Sequence, residues 1–458
     1  MKSQRLSSSR FRPTLSLGLF AMFLTVVWIA GGASRADVMG QAVVRGASWA
    51  LLAITAVLAP RPRLGQVKPV MFFVTAAALL TALQLLPLPP SVWEAMPGRA
   101  ILVEAATASG QTQPWRPWSI VPGATINALA SLVIPFATLM LVSVMRKDEQ
   151  DWLPAMMLVF ISASMMIGLL QFSGAVLANP FINDTPGQTA GTLANRNHFA
   201  LLMAIGCALA PVWAIQDEGR LQWRGPLASA LVLLFLLAIL GSGSRAGLGL
   251  GVAGVALGTV IIGKRLQRVM QRRSRWAFPA LIALALCVIV ALTIVGVSTG
   301  RSVSVGRLLA TDLNQDMRSR GLPTVLAMIG NYLPFGTGFG SFDTLFRMHE
   351  PFALLKPTYF NHAHNDWLEI VLDGGVIGGL LLIVALVWWA WASARAWRSH
   401  ASLPKFGSAA ILLLMAASLF DYPARTPTFM MVLVLAAVWL NSGGTKGAPA
   451  LPRDPLHL

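Results

Sequence analysis

Two histidines stand two residues apart in the stretch YFNHAHNDWLEI, residues 359–370, where an Asn-Asp pair and a Trp-Leu-Glu run follow them. His362 and His364 are the side chains best suited to chemistry. An imidazole takes a proton near neutral pH, and Asp366 or Glu369 is close enough in sequence to hold it as a general base or orienting residue. Two other readings stay open. In an extended segment the two histidines share a face and could form a metal pair, although no second His/Cys cluster supplies further zinc ligands. Both could also be polar residues at a membrane interface.

Arginines form the second set. Arg245 lies in GSGSRAGLG, a tight turn between two apolar runs, and Arg196 lies in GTLANRNHFA. Arg301, Arg307, Arg318 and Arg320 crowd the first third of a polar segment, residues 299–365. On the plainer reading they anchor helices at head groups by snorkelling. The turn at Arg245 leaves little room for a freely solvated side chain. Converging guanidinium groups suit a pyrophosphate, which they grip through paired, charge-assisted bonds. YLPFGTGFGSF, residues 332–342, carries Gly336, Gly338 and Gly340. A nucleotide loop would need a βαβ unit and a Lys-Ser/Thr pair. Glycines here let the chain turn sharply and approach neighbouring backbone or a ligand.

The elements that must position these residues are built for lipid. The 458 residues are 55% hydrophobic and 12% charged, against about 25% charged in a soluble domain. Apolar runs of about 17–25 residues recur along the chain, each able to cross a bilayer core as a helix. Backbone amides in lipid must be satisfied internally, so the expected fold is all-α and polytopic. The formal charge of +17 has no soluble basic domain through which to bind nucleic acid. It points to anionic membrane lipids and a phosphate-bearing substrate. Cys207 and Cys287 read as small core residues.

The expected spans are residues 14–33, 40–59, 69–87, 122–145, 152–172, 195–215, 226–243, 247–263, 277–298, 366–392, 406–420 and 427–441, about twelve. The N-terminal MKSQRLSSSRFRP and its apolar run resemble a signal peptide, with SRA before Asp37 as a cleavage site. The run is long and more helices follow, so an uncleaved first span is expected. With the N-terminus in the cytoplasm, RPRLGQVK, RKDEQD, KRLQRVMQRRSRW and SARAWRSH all fall on the cytoplasmic side, as the positive-inside rule requires. Both termini are then cytoplasmic, and residues 88–121 and 299–365 are extracytoplasmic. The spans are expected to be nearly free of acidic residues, with Arg45 the main charge within one. Residues 1–458 read as a single membrane domain, and NSGGTKGAPALPRDPLHL leaves no expectation of an appended acceptor domain.

Several features together resemble the O-antigen ligase and polymerase superfamily of bacterial envelope enzymes. HNDWLE followed by DGGVIGG fits the family's His-Asn…Leu-Glu pattern through His364, Asn365, Leu368 and Glu369. GTLANRNHFA resembles its Asn-x-Asn segment (Asn195, Asn197), and GSGSRAG its Ser-Arg turn (Arg245). NYLPFGTGFGSF resembles its Pro-x-Gly-x-Gly stretch through Pro334, Gly336, Gly338, Gly340 and Phe342. The resemblance covers about residues 190–392. The family usually has Trp four residues after the loop arginine, but Thr324 follows Arg320 there. The choice between Arg318 and Arg320 is therefore left open.

The resemblance implies a metal-independent, inverting glycosyl transfer at the periplasmic face of the bacterial inner membrane, serving lipopolysaccharide or surface polysaccharide biosynthesis. The donor would be a glycan on undecaprenyl pyrophosphate, and the acceptor a hydroxyl of lipid A core, of a second carrier-linked glycan, or of a protein. His364 would take the acceptor's proton or orient its hydroxyl. Arg245 and Arg320, with Arg196 and Arg318, would stabilise the leaving pyrophosphate; Asn365, Asp366, Glu369, Asn197, Gly336 and Gly338 would support them. No cofactor is implied. A transporter or flippase of lipid-linked glycans shares the spans and arginines and is the alternative from another class.

Overall fold

The computed structural model describes residues 13–183, 185, 187–217, 221–271, 317–355 and 360–442. The expected span at 277–298, Arg301, Arg307 and the first part of the 299–365 segment lie outside the described residues. The rest is mostly helical: α1 Leu15–Ala30, α2 Met39–Leu58, α3 Lys68–Leu83, α4 Pro90–Glu94, α5 Ala100–Ala108, α6 Pro122–Ser131, α7 Val133–Val144, α8 Lys147–Gln150, α9 Leu153–Phe172, α10 Arg196–Ala214, α11 Leu221–Ser242, α12 Arg245–Gln271, α13 Met317–Tyr332, α14 Phe342–His349, α15 Asp366–Arg398, α16 Ser402–Ala417 and α17 Pro427–Asn441. Among the described residues seven helices are long and apolar enough to cross a membrane, α6–α7 and α8–α9 each counting as one. Shorter apolar helices α1, α3, α16 and α17 complete the bundle.

α10 is its axis. Nearly every side chain from His198 to Ala214 is buried, against α9, α11, α12 and α16. Where lipid replaces water, such packing gains from close van der Waals contact more than from expelling water, so small residues line the seams. At Gly254 of α12 a Cβ would run into the backbone of Ala204, and the glycine lets the two helices touch. Arg45, inside α2, donates to Asn127, Ser131 and Gln41. Asp366, Glu369 and Asp373, at the start of the expected span 366–392, are all buried in the first turns of α15.

Two excursions cap one end. Residues 87–117 close on a two-residue antiparallel ladder, Pro87 opposite Pro117 and Leu88 opposite Arg116. This excursion docks on the glycine loop: Ile120 N donates to Thr337 O at 2.9 Å and Trp118 Nε1 to Phe335 O at 3.1 Å. The loop in turn wedges into a break in α15. Gly375 adopts φ 59°, ψ −152°, and the freed backbone is re-satisfied by the loop. Val376 N donates to Pro334 O (2.9 Å), Thr337 N to Leu372 O (3.0 Å) and Gly338 N to Asp373 O (2.9 Å). Gly336, Gly338 and Gly340 all have positive φ, which side chains rarely tolerate. Tyr332, Phe342, Phe346, Phe360 and Leu372 form a separate core beneath this cap.

Candidate active site

The histidine loop is stapled at both ends. Asn365 caps α15, its Oδ1 accepting from Leu368 N at 3.1 Å, while its Nδ2 donates to Leu419 O at 3.2 Å. Asp366 N donates to Ser418 O. His364 is forced into the left-handed region at φ 53°, a conformation that costs a side-chain-bearing residue about 1–2 kcal/mol. Its Nδ1 lies 2.9 Å from His362 O. A carbonyl only accepts, so Nδ1 carries the hydrogen and Nε2 the lone pair. The ring meets Phe360 and Tyr422 edge-on. Burial pushes the His364 pKa down to about 4; Arg318 and His362 push the same way, and Asp421 opposes them. His364 is a neutral acceptor at physiological pH.

His362 is held differently. Its Nδ1 is 2.9 Å from Glu369 Oε1, and Ala363 N donates to the other carboxylate oxygen at 2.8 Å. Glu369 thus holds His362, while His364 leans on backbone. The His362 ring lies against Tyr422 at a centroid distance of 4.3 Å.

Behind the loop, Arg425 reaches three carboxylates: Asp366 (3.4 Å), Glu369 (3.2 Å) and Asp373 (3.5 Å). Asp366 also accepts from Ser418 Oγ and Ala424 N, and Asp373 from Gly340 N and Thr337 Oγ1. The cluster ties the turn between α16 and α17 to α15 and to the glycine loop.

Asp421 is the hub on the other side. Its Oδ2 accepts from Asn195 Nδ2 (3.1 Å) and Asn197 Nδ2 (2.6 Å) and lies 3.6 Å from Arg318 Nη2. Tyr422 N donates to Oδ1, and His198 Nε2 is 3.7 Å from it. Burial works to raise the Asp421 pKa, but His198, Arg318 and His364 outweigh it and hold the carboxyl well below the usual range. Asn195 caps α10. Ser244, donating to Asn197 Oδ1 at 2.8 Å, accepts from Gly247 N at the start of α12. Arg196 and Arg245 are the first residues of two helices whose N-termini meet each other and the Asp421 turn, to which the start of α15 is also tied.

Arg318 and Arg320 part company on α13. Arg318 donates to Phe420 O at 2.7 Å beside Asp421; Arg320 is exposed and donates to Ala353 O at 2.9 Å. The structure thus gathers His364, Asn365, Asp366, Glu369, Asn197, Arg196, Arg245 and Arg318 at one end of the bundle. Gly336 and Gly338 lie in the wedge, and Arg320 points elsewhere. Among the described residues no group of three or more His, Cys, Asp or Glu side chains is arranged to hold a metal ion. Sequence reasoning missed His198, Asp373, Asp421, Tyr422 and Arg425. The available signal was FDYPART, residues 420–426: an Asp, a Tyr and an Arg packed between two apolar runs.

Residues 230–383 match the family described as O-antigen ligase. The match takes in Arg245, Arg318, the glycine loop, both loop histidines and Asp373. It stops short of Asp421 and Arg425 and begins after Asn195 and Asn197. No curated protein matches the chain.

Proposed function

Residues 230–383 match the family described as O-antigen ligase, and from that premise we propose a membrane glycosyltransferase that moves a glycan from undecaprenyl pyrophosphate to an acceptor hydroxyl. The site works at the periplasmic face of the inner membrane, with both termini in the cytoplasm. The observation that carries this reading is the neutral imidazole of His364 with Arg318 acting on it. Arg196 and Arg245 open α10 and α12 at the end where His364 precedes α15, and Arg318 adjoins the Asp421 hub. Helix N-termini attract anions, each by about 0.3–1 kcal/mol. With the guanidinium groups they suit a pyrophosphate whose charge grows as it departs.

The acceptor oxygen attacks the anomeric carbon as the bond to the pyrophosphate oxygen breaks, and the electron pair stays on the pyrophosphate. In-line attack inverts the anomeric centre. His364, through Nε2, receives the acceptor hydroxyl as a hydrogen-bond donor. Arginines supply the charge stabilisation, so no metal is needed. Of the two candidate loop arginines, the Asp421 contact favours Arg318 over Arg320.

The test is transfer in detergent, where there is no membrane to cross. Purified protein would receive a synthetic undecaprenyl pyrophosphate glycan with lipid A core oligosaccharide or a second carrier-linked glycan. Product on the core names a ligase, and product on the second carrier a polymerase of lipopolysaccharide or surface polysaccharide. Donor binding with no transfer to either acceptor would contradict the proposal and favour a transporter.

A further inference from the structure

Resting on the glycosyl-transfer reading, we infer that His362, backed by Glu369 and Arg425, is the group that receives the acceptor's proton, while His364 orients the hydroxyl. Both loop imidazoles adjoin Tyr422, at centroid distances of 4.3 Å for His362 and 5.1 Å for His364. Their partners differ in charge. His364 Nδ1 donates to a neutral carbonyl, and burial and Arg318 both oppose a positive ring there. His362 Nδ1 donates to a fully buried carboxylate at 2.9 Å. The Glu369 oxygen that it contacts also faces Arg425, but that guanidinium is shared with Asp366 and Asp373. Arg425 is thus divided among three carboxylates, and Glu369 is the one that also faces His362, so an imidazolium formed there has a carboxylate partner already in place. A base whose second nitrogen is held by a carboxylate keeps one tautomer and gains when protonated. The His362 side chain keeps 14% of its surface exposed, and no hydrogen bond from a described residue engages its Nε2.

The step balances. The acceptor oxygen bonds the anomeric carbon, the pyrophosphate leaves with the electron pair, and the hydroxyl proton passes to His362 Nε2. The resulting imidazolium is paired with Glu369 and gives its proton to water before the next turnover.

The experiment compares wild type, His362→Asn, Glu369→Gln and His364→Asn in detergent. Each is tested with the undecaprenyl pyrophosphate donor and two acceptors: the one wild type uses, and its analogue with thiol in place of the reacting hydroxyl. A thiol ionises near pH 8.5 and so depends far less on a base. The expected result is that His362→Asn loses about 10²–10⁴-fold in kcat with the hydroxyl, keeps its donor KM, and recovers with the thiol. Glu369→Gln, which preserves shape, should show a smaller loss of the same kind, and His364→Asn should lose both acceptors. Wild-type rates with the hydroxyl in His362→Asn, or equal loss of both acceptors in a folded His362→Asn, would overturn the assignment. If wild type binds donor but transfers to neither acceptor, the glycosyl-transfer reading itself fails, and this one with it.

Discussion

Asn197 Nδ2 lies 2.6 Å from Asp421 Oδ2, joining the start of α10 to the turn between α16 and α17. The same carboxylate oxygen faces Asn195 and Arg318, so one buried anion holds three parts of the chain together. Removing one partner of a buried ionic group costs about 3–5 kcal/mol. Asp421→Ala should lower the thermal midpoint in detergent by a corresponding amount and weaken donor binding through Arg318. Asn197→Ala removes one donor from a carboxylate that keeps others, and should cost about 1–3 kcal/mol. Thermal unfolding and donor titration of both variants check this; unchanged midpoints would contradict the hub.

His364 combines a chemical role with a strained backbone, and a substitution separates the two. Asn tolerates the left-handed region several-fold better than most residues. His364→Asn should therefore fold with a thermal midpoint equal to or above that of wild type at pH 7, while transfer falls by about 10² or more. A variant that unfolds would show that the imidazole is structural.

Protonation supplies a prediction independent of activity. The folded His364 pKa is lowered from 6.5 to about 4. Between those values the unfolded chain binds a proton that the folded chain refuses, so stability falls as pH drops from 6.5 towards 4. Asp421 has the same sense in a lower window. Its folded pKa lies below the ordinary carboxylate value, so its contribution persists through that window and is lost only beneath it. The thermal midpoint of wild type should decline more steeply from pH 6.5 to 4 than that of His364→Asn. Parallel curves would contradict the buried, neutral imidazole.

The two arginines on α13 should behave unequally. Arg318→Ala removes a charge beside Asp421 and Phe420 O, and a lost charge-assisted contact costs about 1.5–3 kcal/mol, or roughly 10–100-fold in donor affinity. Arg320→Ala loses an exposed bond to Ala353 O and should stay within about threefold, the range of small surface effects. Donor titration of the two variants decides between them.

What the sequence made legible follows from physics that is local. Spans are read from composition, and eleven of those expected coincide with helices, α6–α7 forming one of them; the one at 277–298 lies outside the described residues. The loop histidines and Asn365 are legible because a cap and a base sit within a few residues of each other. Arg318 and Arg320 could not be separated, because two residues along a helix face different sides and only the packing of α13 decides which faces Asp421. Asp421 and Arg425 were overlooked because their partners lie far away in sequence: Asn197 and Asp421 are 224 residues apart. The break at Gly375 was equally hidden, since DGGVIGG reads as continuous helix until the glycine loop enters it.

The most direct test measures the glycan product itself. Wild type and folded His364→Asn would receive the undecaprenyl pyrophosphate glycan and acceptor in EDTA, and the new anomeric centre would be assigned by NMR. The account predicts transfer by wild type with inverted configuration and loss of about 10² or more in the variant. Retained configuration, transfer abolished by EDTA, or equal rates from the two proteins would contradict it.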